Sequence, residues 1–339
     1  MTRYIIRRIL GFIPVLFTIT LFTFVMMRAI PGGPFDFVGD KALPPQVVAN
    51  IEAKYHLDWP LWKQFASYLI GDDLLGEEGI SRGVIRADLG PSLRYRAQTV
   101  NEIIATTFPT SAQLGLLSVM LALLIGLPAG ILAALNQNTW IDYTSTFGAV
   151  LFLSIPNLVL APILVWIFAL SLSWLPVAGW GSQQPYLLGF LPQLSELLSW
   201  NYWSHAILPV FALGTASAAG IARLTRASLL QVIREDYIRT ARAKGLRERA
   251  VITVHALKNS LIPVVTILGP MFAFLVTGTF VVEQIFGING MGKHFITSVG
   301  NRDYQVITGM TLLFGVMLVL ANLMVDITYA LLDPRIRYE

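Results

Sequence analysis

Six stretches of about 20 or more mostly apolar residues recur along this chain of 339 residues, and they constrain its fold more than any other feature. A helix of that length crosses a hydrocarbon core of ~30 Å. The predicted fold class is therefore all-α: a polytopic membrane protein with six transmembrane helices. Their expected bounds are about Ile9–Ile30, Pro109–Leu135, Tyr143–Leu172, His205–Arg223 (continuing as helix to Ile233), Ser260–Val282 and Tyr304–Leu332. Pro156 and Pro162 are expected to bend the third span.

Composition excludes several classes of function. The chain is 55% hydrophobic and only 13% charged, whereas soluble domains carry about 25% charged residues. It has no cysteine, which excludes disulfides, thiolate zinc sites and thiol catalysis. Its four histidines are scattered singly, and its formal charge of +4 is too small to indicate nucleic acid. We therefore expect neither a metal site nor a nucleic-acid partner.

Lys and Arg are distributed unevenly between neighbouring loops. The 223–259 connection holds nine, against three acidic residues, whereas the 173–203 connection holds none. The positive-inside rule places the basic loop and both termini in the cytoplasm. The 136–142 loop should then also be cytoplasmic, although it lacks a basic residue.

This topology divides the chain into three parts. Residues 1–30 form an N-terminal helix that is retained, because no cleavage site follows its apolar run, and its cytoplasmic end carries Arg3, Arg7 and Arg8. Residues 31–108 form an extracytoplasmic segment. Residues 109–339 form a helical core that includes a cytoplasmic loop at 234–259.

Two further features are expected outside the cytoplasm. The sequence ALPPQVVANIEAKYHL predicts a proline-started amphipathic helix with Val47, Ile51 and Tyr55 on one face, and the acidic run Asp72–Glu78 predicts a solvated excursion. Residues 186–203 are apolar but broken by glycine and proline. They predict an interfacial helix or half-buried loop with Trp200 and Trp203 at the headgroup level.

A polar island, DYIRTARAKGLRERAVITVHALKNSLIP, runs from Asp236 to Pro263 between two predicted spans. Residues 235–244 suit a helix, Gly245 stands where a left-handed residue would end it, and residues 247–255 can begin a second helix. The pattern predicts a short helix displayed to the cytoplasm. Composition alone is equally explained by a loop that only sets topology. The order Ala-Arg-Ala-Lys-Gly favours docking to a partner, because small residues allow close approach.

The island resembles the EAA loop of ABC-importer permease subunits, specifically of peptide importers. YIRTARAKGL and HALKNSLIP carry the likeness, with Gly245 and Pro263 at the family's glycine and proline. The Glu-Ala-Ala positions are here Arg239-Thr240-Ala241. RRILGFIPVLFTITLFTFVMMRAIPGGPF, LPPQVVANIEAKYHL, FPTSAQLG, the NRDY at 301–304 and the tail DPRIRY extend it along nearly the whole chain. The likeness is to B-type permeases of oligopeptide importers in the peptide/nickel permease family, with insertions near 72–80 and 183–203.

The resemblance implies the type I ABC importer permease fold and a transport function with no enzymatic activity in this chain. It implies a second homologous permease subunit, two cytoplasmic ATPase subunits that bind ATP and Mg, and an extracytoplasmic peptide-binding protein, in a bacterial plasma (inner) membrane. Segments 31–108 and 173–203 would form the surface on which the peptide-binding protein docks. The ATPase-coupling residues would be Tyr237, Arg239, Thr240, Ala241, Arg242, Ala243, Lys244, Gly245 and Leu246.

The polar residues within the spans are mostly uncharged, and we expect some of them to line the translocation path. They are Thr110, Ser111, Gln113, Ser118, Ser154, Asn157, Thr215, Ser217, Thr277 and Thr279. From these we select Gln113, Asn157, Ser217 and Thr277 as path candidates. Asn157 is the foremost, because it follows the kink at Pro156. Hydroxyl groups also hold helices together, which is the alternative. Asp326 is expected to be a helix-end or inter-subunit hydrogen-bond partner.

The sequence GINGMGKH fits the P-loop pattern G-x-x-x-x-G-K, but His294 stands where a magnesium-binding Ser or Thr is needed. We therefore expect no nucleotide site or cofactor in this chain. A secondary transporter would need ion-coupling residues or inverted repeats, and a membrane enzyme would need a cluster of His, Asp or Glu; neither pattern is visible. Dipeptides, glutathione and nickel chelates remain alternative substrates, since only LPPQVVANIEAKYHL favours oligopeptides.

Overall fold

The computed structural model describes residues 2–30, 32–35, 44–77, 79, 81–95 and 97–332, and the described part is helical apart from loops and two isolated β-bridges. The C-terminal tail and Glu78 lie outside the described residues. Before the long core helices lie α1 (Thr2–Ala29), α2 (Pro45–Lys54) and α3 (Leu61–Ile70). The remaining helices are α4 (Val100–Leu135), α5 (Trp140–Ser154), α6 (Asn157–Leu164), α7 (Leu194–Leu197), α8 (Trp200–Val232), α9 (Asp236–Ala243), α10 (Glu248–Ala250), α11 (Leu257–Ser260), α12 (Ile262–Val276), α13 (Phe280–Ile285), α14 (Met291–Asn301) and α15 (Tyr304–Leu332).

Five helical stretches in the described residues are long and apolar enough to cross a membrane, and a bent pair makes a sixth if it counts as one span. The predicted first, fourth and sixth spans correspond to α1, α8 and α15. The second begins at Val100, not Pro109, because a capping box at Thr99 starts the helix earlier. The Thr99 hydroxyl accepts from the Glu102 N–H at 3.2 Å, and the Glu102 carboxylate accepts from the Thr99 N–H at 2.9 Å. Residues 100–108 are thus helical.

The third and fifth predicted spans are interrupted. Helices α5 and α6 meet at 100° where Pro156, which has no N–H to donate, ends the first helix. Beyond Pro162 the helix widens into a π-helical turn, Val165–Ser171. The fifth predicted span, Ser260–Val282, corresponds to Ile262–Ile285, which is long and apolar enough to cross a membrane but contains a break. Its helix α12 ends at Val276, and Gly278, at φ +112°, turns the chain into α13.

The centre of the bundle is a close contact between α4 and α8. A Cβ on Gly126 would lie 2.7 Å from the Ala218 carbonyl oxygen, and one on Gly130 would lie 2.5 Å from that of Ala222. From α8, a Cβ on Gly214 would lie 2.8 Å from the Leu121 side chain. The contacts advance in the same direction on both helices, which are therefore parallel. Small residues are what allow helix backbones to approach this closely in a membrane.

Two ion pairs join helix ends. Asp142 of α5 accepts from Arg226 of α8 at 2.5 and 2.7 Å, so the loop without a basic residue obtains one from a neighbouring helix. Asp326 of α15 lies 2.9 Å from Arg8 of α1. The expected partner of Asp326 is thus a residue of the same chain. These pairs join the ends of the spans to each other.

The segment before α4 differs from its prediction in two places. Helix α2 forms as expected, but Val47 is exposed and Val48 packs beside Ile51 and Tyr55 in the cluster that contains Met27. Asp72 is buried, not solvated: its carboxylate accepts from the Ser67 hydroxyl and, at 3.2 Å, from the Ser81 N–H.

The 186–203 stretch also departs from its prediction in part. Trp200 and Trp203 belong to the first turn of the long helix α8, and the stretch before them holds only the short helix α7. Trp203 reaches back to that helix, since its indole N–H donates to the Leu197 carbonyl at 2.8 Å.

The contact between α4 and α8 predicts opposite effects for the same substitution at two glycines. Gly126→Ala should destabilise the protein by ~1–3 kcal/mol, because the new methyl group overlaps the α8 backbone. Gly220→Ala is the matched control, since its Cβ meets nothing within 4 Å and alanine favours helix by up to about 1 kcal/mol. Thermal unfolding in detergent measures both. Equal melting temperatures for the two variants would contradict the packing described here.

Candidate functional site

Helix α9 is the short helix of the polar island, and Gly245 determines where its C-terminal end lies. The Leu246 N–H donates to the Ala241 carbonyl at 3.4 Å, and the Gly245 N–H donates to the Arg242 carbonyl at 2.9 Å. Together these bonds form a Schellman motif, which requires a left-handed residue, and Gly245 has φ +76°. The helix and its glycine stop therefore lie where the sequence predicts them.

One face of α9 is anchored in the bundle. Ile238 is fully buried and Ala241 nearly so, in a cluster with Ala134 at the end of α4, Leu229 of α8 and Val251. Because Ala241 faces this cluster, it is not available to a partner, unlike the other predicted coupling residues. Those that are exposed are Tyr237, Arg239, Thr240, Arg242, Ala243, Lys244, Gly245 and Leu246.

Side-chain bonds hold the exposed face in one shape. Arg242 donates to both oxygens of Glu248 at 3.1 and 2.7 Å across the Gly245 turn. These bonds lower the pKa of the Glu248 carboxyl below its ordinary value. At the other end, the Asn259 amide donates to the Tyr237 hydroxyl at 2.8 Å and ties α9 to α11. Helix α9 is therefore fixed to the helices that follow it as well as to α4 and α8.

A cavity of about 710 Å³ lies among the core helices. Asn157, Ser217 and Thr277, which come from α6, α8 and the end of α12, all line it. Gln113, the fourth path candidate, does not. It is buried on α4, where its amide donates to the Phe190 carbonyl and accepts from the Trp180 indole, each at 2.9 Å. Its polar group thus holds the 173–203 connection in place.

The wall of the cavity is largely apolar. Within the described residues, those that line it include no Asp, Glu, Lys, Arg or His. The polar groups that line it are Ser and Thr hydroxyls, the amide of Asn157 and backbone atoms. Helices α13 and α14 contribute one side of it, including Phe280, Val281 and Phe295. An uncharged wall of this kind makes weak contacts to many side chains and strong contacts to few.

Glu283 of α13, which the sequence analysis did not single out, is fully buried behind this wall. Its carboxylate accepts from the Ser111 hydroxyl of α4 at 2.8 Å, the Thr279 N–H at 3.1 Å and the Lys293 N–H at 2.9 Å. Ser111 in turn accepts from the Met291 N–H at 2.8 Å. We call Glu283, Ser111 and the 278–293 backbone around them the Glu283 knot. It joins α4, α13 and α14.

The Glu283 knot accounts for the P-loop-like sequence. A Cβ on Gly290 would collide with the Glu283 carboxyl carbon, and one on Gly292 would lie 2.7 Å from the Phe280 nitrogen. The glycines allow backbone N–H groups at the start of α14 to approach an anion, as they do in a P-loop. Here the anion is the carboxylate of Glu283. In the sequence, the only indication of this site is an acidic residue, Glu283, beside glycines that interrupt an apolar run.

Comparison with protein families identifies the chain. Residues 126–338 match the model for the binding-protein-dependent transport system inner membrane component, and residues 1–115 match the model for the N-terminal part of such membrane components. The chain belongs to this family. It is therefore a transport permease and a multi-pass inner membrane protein.

Relatives of this permease align along its entire length. It is 43% identical over 339 residues to the oligopeptide transport system permease protein OppB of Haemophilus influenzae and 44% identical over 338 residues to that of Salmonella typhimurium, covering 100% of each chain. It is 40% identical over 337 residues to the dipeptide transport system permease protein DppB of Bacillus subtilis, covering 99% of this chain and 98% of that one.

A solved structure shows the same fold. An inward-facing conformation of the MetNI methionine ABC transporter superposes with a TM-score of 0.50 at 17% identity, covering 67% of this permease and 94% of that chain. The predicted all-α, type I ABC importer permease fold is confirmed, and so is the resemblance to oligopeptide importer permeases.

The Glu283 knot predicts a loss of stability when its acceptor is changed. Glu283→Gln should lower the free energy of unfolding by about 1–3 kcal/mol, because both oxygens accept bonds and an amide NH₂ must face a donor at one of them. Gln284→Ala, one residue on and exposed, is the control and should be neutral. Thermal unfolding of each variant tests this; a Glu283→Gln protein as stable as the parent would refute the bonding described here.

Proposed function

We propose that this permease is a subunit of an ATP-driven importer that moves peptides into the cytoplasm, and that ATPase subunits drive it through α9. The observation that carries the proposal is the exposed face of α9, held rigid by Gly245 and Arg242 and anchored by Ile238 to the helices around the cavity. The full-length similarity to permeases of oligopeptide and dipeptide transport systems supports peptides as the substrate class.

The proposed orientation rests on charge. Nine Lys and Arg residues in the 223–259 connection and none in the 173–203 connection support a cytoplasmic position for α9 and both termini. The N-terminal segment, with Arg7 and Arg8, then shares the cytoplasmic side with α9. Segment 31–108 would then lie outside, where a peptide-binding protein would dock.

In the proposed mechanism, two cytoplasmic ATPase subunits close on ATP and move α9. Ile238 transmits the movement to the ends of α4 and α8, and the bond from Asn259 to Tyr237 transmits it to α11 and α12. These helices rotate as a rigid body, so the path between this permease and a second, homologous permease changes the side to which it opens. ATP and Mg are bound by the partner subunits, and this chain does no chemistry.

The cavity suits a substrate of varied sequence. Asn157, Ser217 and Thr277 offer weak hydrogen bonds, and the remaining lining within the described residues is uncharged. Strong fixed charges would select one side chain and slow release, whereas a separate binding protein can supply affinity outside the membrane. We favour oligopeptides over dipeptides, glutathione or nickel chelates because the OppB relatives match the whole chain, including the 31–108 segment.

Other classes of function find less support. A secondary transporter would need charged coupling residues at the cavity. The buried acids near the spans in the described residues are engaged elsewhere: Glu283 in its knot, Asp142 with Arg226, and Asp303 with Ser92 and the Leu93 N–H. Uptake that persists without any ATPase subunit would favour the secondary transporter. Product formation by the purified chain would favour an enzyme.

The proposal predicts that Gly245→Trp uncouples transport without preventing folding. A Cβ on Gly245 meets nothing within 4 Å, so the ring stays outside the chain and the fold bears only about 1–2 kcal/mol of left-handed backbone strain. The same ring lies in the surface that docks. ATP-driven peptide uptake by membrane vesicles should therefore fall at least about tenfold, the effect of losing ~1.4 kcal/mol of coupling.

Gly245→Asn is the matched control, because asparagine tolerates the left-handed conformation and is small. It should retain most of the uptake. Normal uptake by the Gly245→Trp variant, at equal abundance in the membrane, would rule out docking at this turn.

A further inference from the structure

The 183–200 loop, just before α8, exposes large apolar side chains. Leu188 is 85% exposed and Leu198 is 81% exposed, and Leu187, Leu194 and Trp200 are also exposed. Leu194 and Leu198 lie four residues apart on the helical turn of α7 and so share a face. None of these side chains lines the large cavity. Nothing within the bundle therefore accounts for their exposure.

The charged side chain of this loop is bonded within the protein. It contains no Lys or Arg, and its single acid is Glu196. The Glu196 carboxylate accepts from the Ser182 hydroxyl at 2.7 Å, from the Gln183 N–H at 2.9 Å and from the Gln193 N–H at 3.0 Å. The outward surface is thus left to leucine, tryptophan and small polar groups, a composition that suits contact with lipid better than contact with a charged protein surface.

The depth of the loop follows from the parallel contact of α4 and α8. Gly126 meets Ala218 and Gly214 meets Ser118, so Gln113 lies at the level of about residues 205–209 of α8. A hydrocarbon core of ~30 Å, counted back from Arg223 at 1.5 Å per residue, ends near residue 203. Gln113 therefore lies roughly 3–9 Å inside that edge. Because its amide bonds the Phe190 carbonyl, the hairpin around Phe190 lies at the same depth.

We propose that the 183–200 loop is an amphipathic lipid anchor whose leucines enter the headgroup–acyl boundary of the leaflet at the Trp200 end of the bundle. The inferred depth agrees with the ~5–10 Å at which interfacial apolar faces are buried. Lipid that contacts the loop would be continuous with lipid at the start of α8, where Trp200 is exposed. Through Gln113 and Trp180 the anchor fixes the connection that packs on α4 to the membrane surface.

Fluorescence quenching in the membrane tests this anchor directly. The chain has no cysteine, so single-cysteine variants need no further change. The dye bimane would be attached at Leu188→Cys or Leu198→Cys in the whole transporter, reconstituted in phosphatidylcholine vesicles that carry a nitroxide near the headgroup end of an acyl chain. Gln183→Cys and Gln184→Cys, exposed on the same loop, are the controls. The lipid is present in both leaflets, so the result does not depend on orientation.

Quenching at the two leucine positions should exceed that at the two glutamine positions by at least about twofold, because only the leucines reach the acyl chains. Quenching equal to that of the glutamines would overturn the proposal. So would dye at Leu188 that is shielded from water yet unquenched by lipid, since a protein would then cover the loop. Unchanged thermal unfolding of the labelled variants establishes that the loop remains folded.

Discussion

Helices α4 and α8 touch backbone to backbone at Gly126 and Gly130, and α4 also carries the contacts that hold the Glu283 knot, the 173–203 connection and α9. Its N-terminal half supplies Ser111 to the Glu283 knot and Gln113 to the 173–203 connection. Its last turn supplies Ala134 to the cluster that anchors α9. In lipid, where helices gain little from hydrophobic burial against each other, such close packing and buried hydrogen bonds are what fix their arrangement.

This arrangement connects the short helix α9 to a cavity far along the bundle. Ile238 binds α9 to the ends of α4 and α8, while the Glu283 knot joins α4 to α13 and α14, which form one wall of the cavity. Packed side chains and hydrogen bonds thus connect α9, through α4, to the wall of the cavity. The interrupted helices at Pro156 and Gly278 are where the backbone changes direction beside the cavity.

The sequence predicted what depends on local chemistry. Apolar length set the spans, and the Schellman glycine Gly245 set the end of α9. It did not predict the Glu283 knot, because the donors to that carboxylate come from Ser111 and Lys293, distant in sequence and defined only by the fold. Nor did it predict that Gln113 bonds the Phe190 carbonyl and the Trp180 indole, because a buried amide on α4 indicates a polar partner but not which one.

The central claim, that the exposed face of α9 is a cytoplasmic docking surface, is tested most directly by the accessibility of Thr240. A cysteine there should react with a membrane-impermeant reagent only in inside-out vesicles, and the ATPase subunits should protect it. A cysteine at Gln183, exposed on the opposite end of the bundle, should react only in intact cells and should be indifferent to those subunits. Labelling of Thr240→Cys in intact cells, or labelling in inside-out vesicles that the ATPase subunits leave unchanged, would contradict the account.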